Sequence, residues 1–362
     1  MIPLFAVNMA PGALNAAAEV LRSGYIGQGE KVAEFERLLN VATGGAHWLA
    51  VNSCTSAIDL ALHLAGARAG DIVVSTAMTC TATNSPIVNR GAKIVWADVS
   101  PRTGCIDAEH AVHLAGLYGA SAIVAVDWAG RACDYNKLKT AGIPVIQDAA
   151  HLSPYDFDPR NRGDYSCLSF QAIKFVTTGD GGALSVPDDQ YDRAKLLRWY
   201  GLDRESGKSF RCEQDITEVG YKYHMNDVAA SIGIENMQTM QALSNRGLAR
   251  KYWDWLADTG VTAPYDSRCS YWLFCILVPD RDDFISYMAD RGIECSPVHA
   301  RNDKHTAFVD ATLWPNVCGI RDGLWYFSEH EVAIPCGSWV SLQQAEYIAN
   351  CVRAYFGYSK IT

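Results

Sequence analysis

Three short segments carry residue types that could do chemistry. Lys174 follows the apolar stretch Cys167-Leu168-Ser169-Phe170 and precedes a polar, glycine-rich turn, Thr177-Thr178-Gly179-Asp180-Gly181-Gly182. A lysine held in an enclosed site loses its proton and attacks an aldehyde as a neutral amine; on an open surface it is only a solvated charge. Asp148 ends a second apolar stretch, Pro144-Val145-Ile146-Gln147. A carboxylate there is costly unless it meets a cation or a protonated ring nitrogen. The alternative is a helix N-cap, with the helix starting at Ala149-Ala150-His151. Ser53-Cys54-Thr55-Ser56 opens a helical stretch, and the amides and hydroxyls of a helix start suit a phosphate monoester. They equally suit an ordinary cap. No one of the three decides the matter alone.

The elements that must position these residues are legible from periodicity. Ser56 to Ala65 has apolar residues at helical spacing after the short apolar Leu49-Ala50-Val51. Further buried-strand candidates are Asp71–Ser75, Lys93–Asp98, Ala122–Asp127 and Pro144–Asp148. From about residue 12 to 235 helices alternate with such runs, which predicts β-α units around a mainly parallel sheet. In open α/β sheets ligands gather at the carboxyl ends of the strands, where several of these runs finish in a polar residue. Asp227 to Leu243 reads as a long helix leading out of this region. Trp272 to Val278 reads as a strand, Arg281 to Arg291 as a helix and Ser341 to Phe356 as a terminal helix. The expectation is a large domain over 1–235 and a smaller α+β domain over 236–362.

Bulk composition excludes several classes. With 362 residues, 49% hydrophobic and 20% charged, the chain can bury a sizeable core. The formal net charge of -9, without any basic block, argues against a nucleic-acid scaffold. No apolar run reaches the length of a membrane span. The opening Met1–Ala6 lacks the features of a secretory leader, so a cytoplasmic address is expected. The 12 cysteines form no C-x-x-C pair, so reduced thiols are expected rather than disulfides or a metal site.

The order and spacing of the motifs resemble the DegT/DnrJ/StrS family of pyridoxal-phosphate-dependent sugar aminotransferases almost end to end. Gly24-Tyr25-Ile26-Gly27-Gln28-Gly29 with Phe35-Glu36 is similar to that family's N-terminal substrate segment, and Val51 to Ala57 to its phosphate turn. Thr79 to Asn84 and Gly91 to Val99 resemble the next blocks. Gln147-Asp148-Ala149-Ala150-His151 and Ser169-Phe170 through Lys174 to Gly182 are the most specific matches. Gly220 to Asp227, then Gly292-Ile293 with Val298-His299, complete the set.

The resemblance implies a fold type I transferase, α/β, with a mainly parallel sheet and a smaller C-terminal α+β domain. It implies that Lys174 holds pyridoxal 5'-phosphate as a Schiff base and shuttles protons, with pyridoxamine 5'-phosphate as intermediate. Asp148 would pair with the pyridinium nitrogen, and His151 would lie near the ring oxygen. Thr55, Ser56 and Ser169 would hold the phosphate. A homodimer with shared sites is implied, the Lys222 segment reaching the partner's phosphate. Tyr25, His299, Asn302 and His305 are the substrate candidates. Cys54 replaces the family's glycine, Cys80 its usual aromatic ring stacker, Lys222 its asparagine and His224 its arginine. The implied reaction moves an amino group from L-glutamate to a keto-sugar, nucleotide-linked and of 4-keto-6-deoxy or 3-keto type. Rival readings are an aminotransferase for a keto-cyclitol and a non-catalytic regulatory protein that binds the same cofactor. Trp314, Trp325, Tyr326 and Trp339 are expected in the core or in dimer contacts rather than against a sugar.

Overall fold

The computed structural model describes residues 1–45, 47–204, 213–240, 245–309, 311 and 322–361. Seven short strands form the main sheet: β1 (Trp48–Val51), β2 (Ile72–Thr76), β3 (Lys93–Ala97), β4 (Ala122–Val126), β5 (Val145–Asp148), β6 (Tyr165–Ser169) and β7 (Gly182–Ser185). Their spatial order is β1-β7-β6-β5-β4-β2-β3. Every residue of β4 and β5 is buried, as expected of strands covered on both faces. The pairs β2-β3, β2-β4, β4-β5 and β5-β6 are parallel. Only β7 runs antiparallel, against β1 and β6. A parallel partner would need a long crossover. The connection from β6 to β7, which contains Lys174, has none and turns straight back.

Helices cover this sheet: α1 (Ala13–Ser23), α2 (Glu30–Ala42), α3 (Cys54–Leu64), α4 (Thr81–Asn89), α5 (Ala108–Tyr118), α6 (Tyr135–Leu138), α7 (Tyr191–Arg198) and α8 (Asp227–Met240). Beyond them lie α9 (Arg246–Leu256), β8 (Phe274–Leu277), α10 (Arg281–Ala289), α11 (Asp322–His330), β9 (Glu331–Ile334) and α12 (Leu342–Tyr355). Strands β8 and β9 pair antiparallel. They share a separate apolar core with α9, α10 and α12, including Tyr252, Ile276, Phe284, Val332 and Ile348. Helix α8 packs on α1 and α2, so a division after residue 235 would cut through it.

Some sequence expectations are corrected. The run Trp272–Val278 contributes only Phe274–Leu277 to a ladder; the Trp272 amide bonds to the Ala129 carbonyl and the Val278 amide to the His330 carbonyl instead. No helix starts after Asp148; the chain turns instead. Of the long helix expected to Leu243, residues 241–243 lie outside the described residues. Trp325 and Tyr326 are exposed and outside the core, which leaves dimer contacts as the remaining part of the expectation for them. Trp339 packs on the second apolar core, and Trp314 lies outside the described residues. The described cysteines are free thiols. No described helix is long and apolar enough to cross a membrane.

Candidate active site

Asp148 closes β5 and is 4% exposed. Its Oδ2 accepts a hydrogen bond from the Thr83 hydroxyl at 2.7 Å, and Thr83 in turn pairs with the Thr79 hydroxyl at 2.8 Å. Its Oδ1 accepts from the Ala150 amide at 3.0 Å and from the Cys54 thiol at 3.9 Å. The Ala150 bond makes a tight side-chain turn where a helix cap was the alternative. Burial pushes the Asp148 carboxyl up, while Thr83, Ala150, the Lys174 charge and Cys54 pull it back down. Such a carboxylate is aimed, and it is ready for a positively charged partner.

Lys174 lies in the β6–β7 connection, where its amide bonds to the Gln171 carbonyl at 2.9 Å. The residue as a whole is half-buried; its amine is the enclosed end, 3.4 Å from the centre of the Trp272 ring. Burial lowers the amine to about 8, against the opposing pull of Asp148, Cys54 and Cys80. That range makes the neutral, nucleophilic form accessible near physiological pH. Asn236 of α8 steadies the same connection by donating to the Thr177 carbonyl at 2.7 Å.

The start of α3 lies beside these two residues. Ser53 caps it, its hydroxyl accepting from the Ser56 amide at 3.1 Å and pairing with the Ser56 hydroxyl at 2.9 Å. Helix geometry leaves the amides of Cys54 and Thr55 without intrahelical acceptors, and these are the donors an anion needs. Gly182 faces both Val51 and Ser169 in register, so Ser169 stands at the same end of the sheet. A Cβ on Gly182 would come within 2.5 Å of the Cys54 nitrogen. Glycine there lets the sheet approach the helix start. Lys222 is exposed, and its carbonyl accepts from Asn52 at 3.3 Å, which ties its segment to the same turn. Cys80 is the half-buried residue preceding α4. His224 packs on Trp199, and burial together with Arg204, Lys222 and Arg198 lowers it to about 4. It is neutral at pH 7 and does not reproduce an arginine's charge.

An aromatic wall completes the site. His151 stacks on Trp272 at 4.1 Å and lies parallel to His299 at 5.9 Å, and Trp128 meets both histidines edge-on. The Ala129 amide donates to His151 Nδ1 at 3.2 Å, so the ring is neutral and carries its proton on Nε2. Burial, then Lys174 and His299, hold His151 well below its usual range. Burial and Lys174 lower His299 to about 4. Three non-glycine residues with left-handed backbones adjoin this wall: Ala129 (φ 58°) follows Trp128, Tyr271 (φ 52°) precedes Trp272, and Val298 (φ 61°) precedes His299. A β-branched residue at such an angle is strained, and strain of this kind collects where side-chain direction matters.

Among the candidates, Lys174, Asp148, His151 and His299 come together, with Cys54 and Cys80 close to the lysine. Tyr25 is 76% exposed and outside the described contacts of this cluster. Asn302 is fully buried, and its amide donates to the Thr79 carbonyl at 2.7 Å and accepts from Asn84 at 2.8 Å. It braces the loop that carries Thr79 against helix α4, which carries Thr83. His305 is half-buried, and its amide bonds to the Asn302 carbonyl at 3.0 Å. Sequence reasoning missed Thr83, Trp128, Trp272 and Gly182 as parts of the site. Signals existed for Thr83, which pairs with Thr79 in a segment already singled out, and for Gly182, which ends the glycine-rich turn after Lys174.

These groups fit pyridoxal phosphate: a helix start for the phosphate, an enclosed amine for the aldehyde and a buried, hydrogen-bonded carboxylate for the ring nitrogen. The model of the DegT/DnrJ/EryC1/StrS aminotransferase family matches residues 9–353. The sugar aminotransferase CalS13 from Micromonospora echinospora is similar at a TM-score of 0.88 and 30% identity, over 98% of this chain and 100% of that one. AtS13 from Actinomadura melliaura is similar at a TM-score of 0.89 and 34% identity, over 98% of each chain. The spore coat polysaccharide biosynthesis protein SpsC of Bacillus subtilis is 30% identical over 245 residues, 64% of this chain and 63% of that protein. The chain spans just under two thirds of the curated relatives it matches, 66% and 63% of their lengths. With a fold type I architecture and this donor set, the chain belongs to the DegT/DnrJ/EryC1/StrS aminotransferase family of pyridoxal-phosphate-dependent enzymes.

Proposed function

We propose that this protein transfers an amino group from L-glutamate to a keto-sugar, nucleotide-linked and of 4-keto-6-deoxy or 3-keto type. The observation that carries the reading is the enclosed Lys174 amine acting across a small site with the buried Asp148 carboxylate. When bound, pyridoxal phosphate supplies the aldehyde that takes up the amino group and the ring that withdraws electrons from the reacting carbon. Lys174 would hold that aldehyde through its Nζ. Its Nζ would take the proton from the donor's α-carbon and later deliver one to the sugar carbon. Asp148 holds the ring nitrogen protonated. The Cys54 and Thr55 amides, with the Thr55, Ser56 and Ser169 hydroxyls, hold the phosphate. His151 would offer its Nε2 proton to the ring oxygen, and His299 would contact the sugar.

We place the protein in the cytoplasm as a homodimer with shared sites, and its domain division near the end of α8. Exposed Leu14 and Leu21, seven residues apart on one face of α1, with Tyr25 and Ile26 beyond, support an apolar contact surface. The name of SpsC supports a setting in polysaccharide biosynthesis. The test is absorption spectroscopy of the purified protein with pyridoxal phosphate and L-glutamate, beside Lys174→Ala, followed by a panel of nucleotide keto-sugars and keto-cyclitols. A glutamate-dependent spectral change with release of 2-oxoglutarate is expected. A cofactor band that glutamate leaves unchanged would mean a cofactor binder without turnover, and amination of cyclitols alone would replace the sugar.

A further inference from the structure

We propose that Trp272 is a positioning residue for Lys174, gripping its backbone through the indole N–H and supporting its charged amine through the ring face. The proposal rests on the assignment of Lys174 as the cofactor lysine. The indole N–H donates to the carbonyl of Ile173, the residue before Lys174, at 3.0 Å. The same ring lies 3.4 Å from the Lys174 amine. A tryptophan that is 5% exposed is by default a core filler, but a filler needs neither contact. The ring is held on its own terms: Phe5 stacks on it at 5.1 Å and His151 at 4.1 Å. Its amide bonds to the Ala129 carbonyl at 2.9 Å, and the preceding Tyr271 carries a left-handed backbone.

An ammonium over an aromatic face is attracted by the ring's quadrupole, more so when water is excluded. The other groups acting on this amine are Asp148 from β5, Cys54 from α3 and Cys80 before α4, all of which favour its charge. His151 and His299 interact with it as neutral rings. Burial alone opposes the charge. Trp272 therefore works with Asp148 against burial, limiting how readily the amine gives up its proton, while its N–H bond keeps the side chain pointing into the site.

The test uses the cofactor-free full-length protein and its capture of pyridoxal phosphate, followed by the visible band across pH and by borohydride trapping with peptide mapping. Trp272→Leu removes both contacts, and Trp272→Phe keeps a ring while losing the N–H. The midpoint of the pH profile is expected to fall by about one pH unit in Trp272→Leu and to stay within a few tenths in Trp272→Phe. Trp272→Phe should also capture cofactor several-fold more slowly on the high-pH plateau. An unchanged midpoint in Trp272→Leu, or a wild-type plateau rate in Trp272→Phe, overturns the proposal; the second criterion stands even if the leucine variant does not fold. Failure of wild type to trap cofactor at Lys174 would instead sink the site assignment beneath it.

Discussion

Replacing Lys174 with methionine should stabilise the cofactor-free protein while abolishing its chemistry. The amine is lowered from 10.5 to about 8 by burial. At about 1.36 kcal/mol per pH unit, that fall costs the folded state about 3 kcal/mol at neutral pH. Methionine has similar length and no charge to desolvate. Below pH 8 the amine is protonated in both folded and unfolded chains, so the full penalty applies. Between about 8 and 10.5 the folded protein has released a proton that the unfolded chain still binds, so wild-type stability rises relative to the variant. Above that window the penalty is gone. Thermal melts of both cofactor-free proteins at pH 7, 9 and 10.5 should show Lys174→Met melting about 4 °C higher at pH 7, with the gap closing as pH rises. Borohydride should trap no cofactor on the variant. A variant less stable than wild type at pH 7, or a gap independent of pH, would refute the reasoning that burial of this amine is what tunes it.

Asp148→Asn should retain cofactor trapping at Lys174 but lower turnover roughly 10²–10³-fold, because an amide cannot stabilise a positive ring nitrogen; steady-state kinetics beside trapping separates the two effects. Gly182→Ala forces a Cβ against the Cys54 nitrogen. It should cost about 1–3 kcal/mol in stability and weaken cofactor retention, read by thermal melts and equilibrium dialysis. Asn302→Ala leaves the Thr79 carbonyl without its buried donor and should cost about 2–4 kcal/mol, since Asn84 loses a partner too. An unaltered melting temperature with a raised KM for the sugar would return Asn302 to the substrate contacts.

The local signals were strong where chemistry depends on neighbours in the chain. Apolar runs ending at Asp148 and before Lys174, a Ser-Cys-Thr-Ser helix start and alternating helical periods predicted the strand–helix order and marked candidates, while the resemblance of motif order implied their roles as lysine, carboxylate and phosphate turn. Tertiary structure alone decided what surrounds them. Thr83 reaches Asp148 across 65 residues, Trp272 reaches Ile173 across 99, and Asn84 reaches Asn302 across 218. Periodicity cannot see such pairs, because it reports which face of an element is buried and not what it is buried against. It also read Trp272 as part of a strand, since the bond from its amide to the Ala129 carbonyl leaves no mark in the pattern of apolar residues. The direction of β7, the tautomer of His151 and the inward use of Asn302 likewise follow from packing between distant segments.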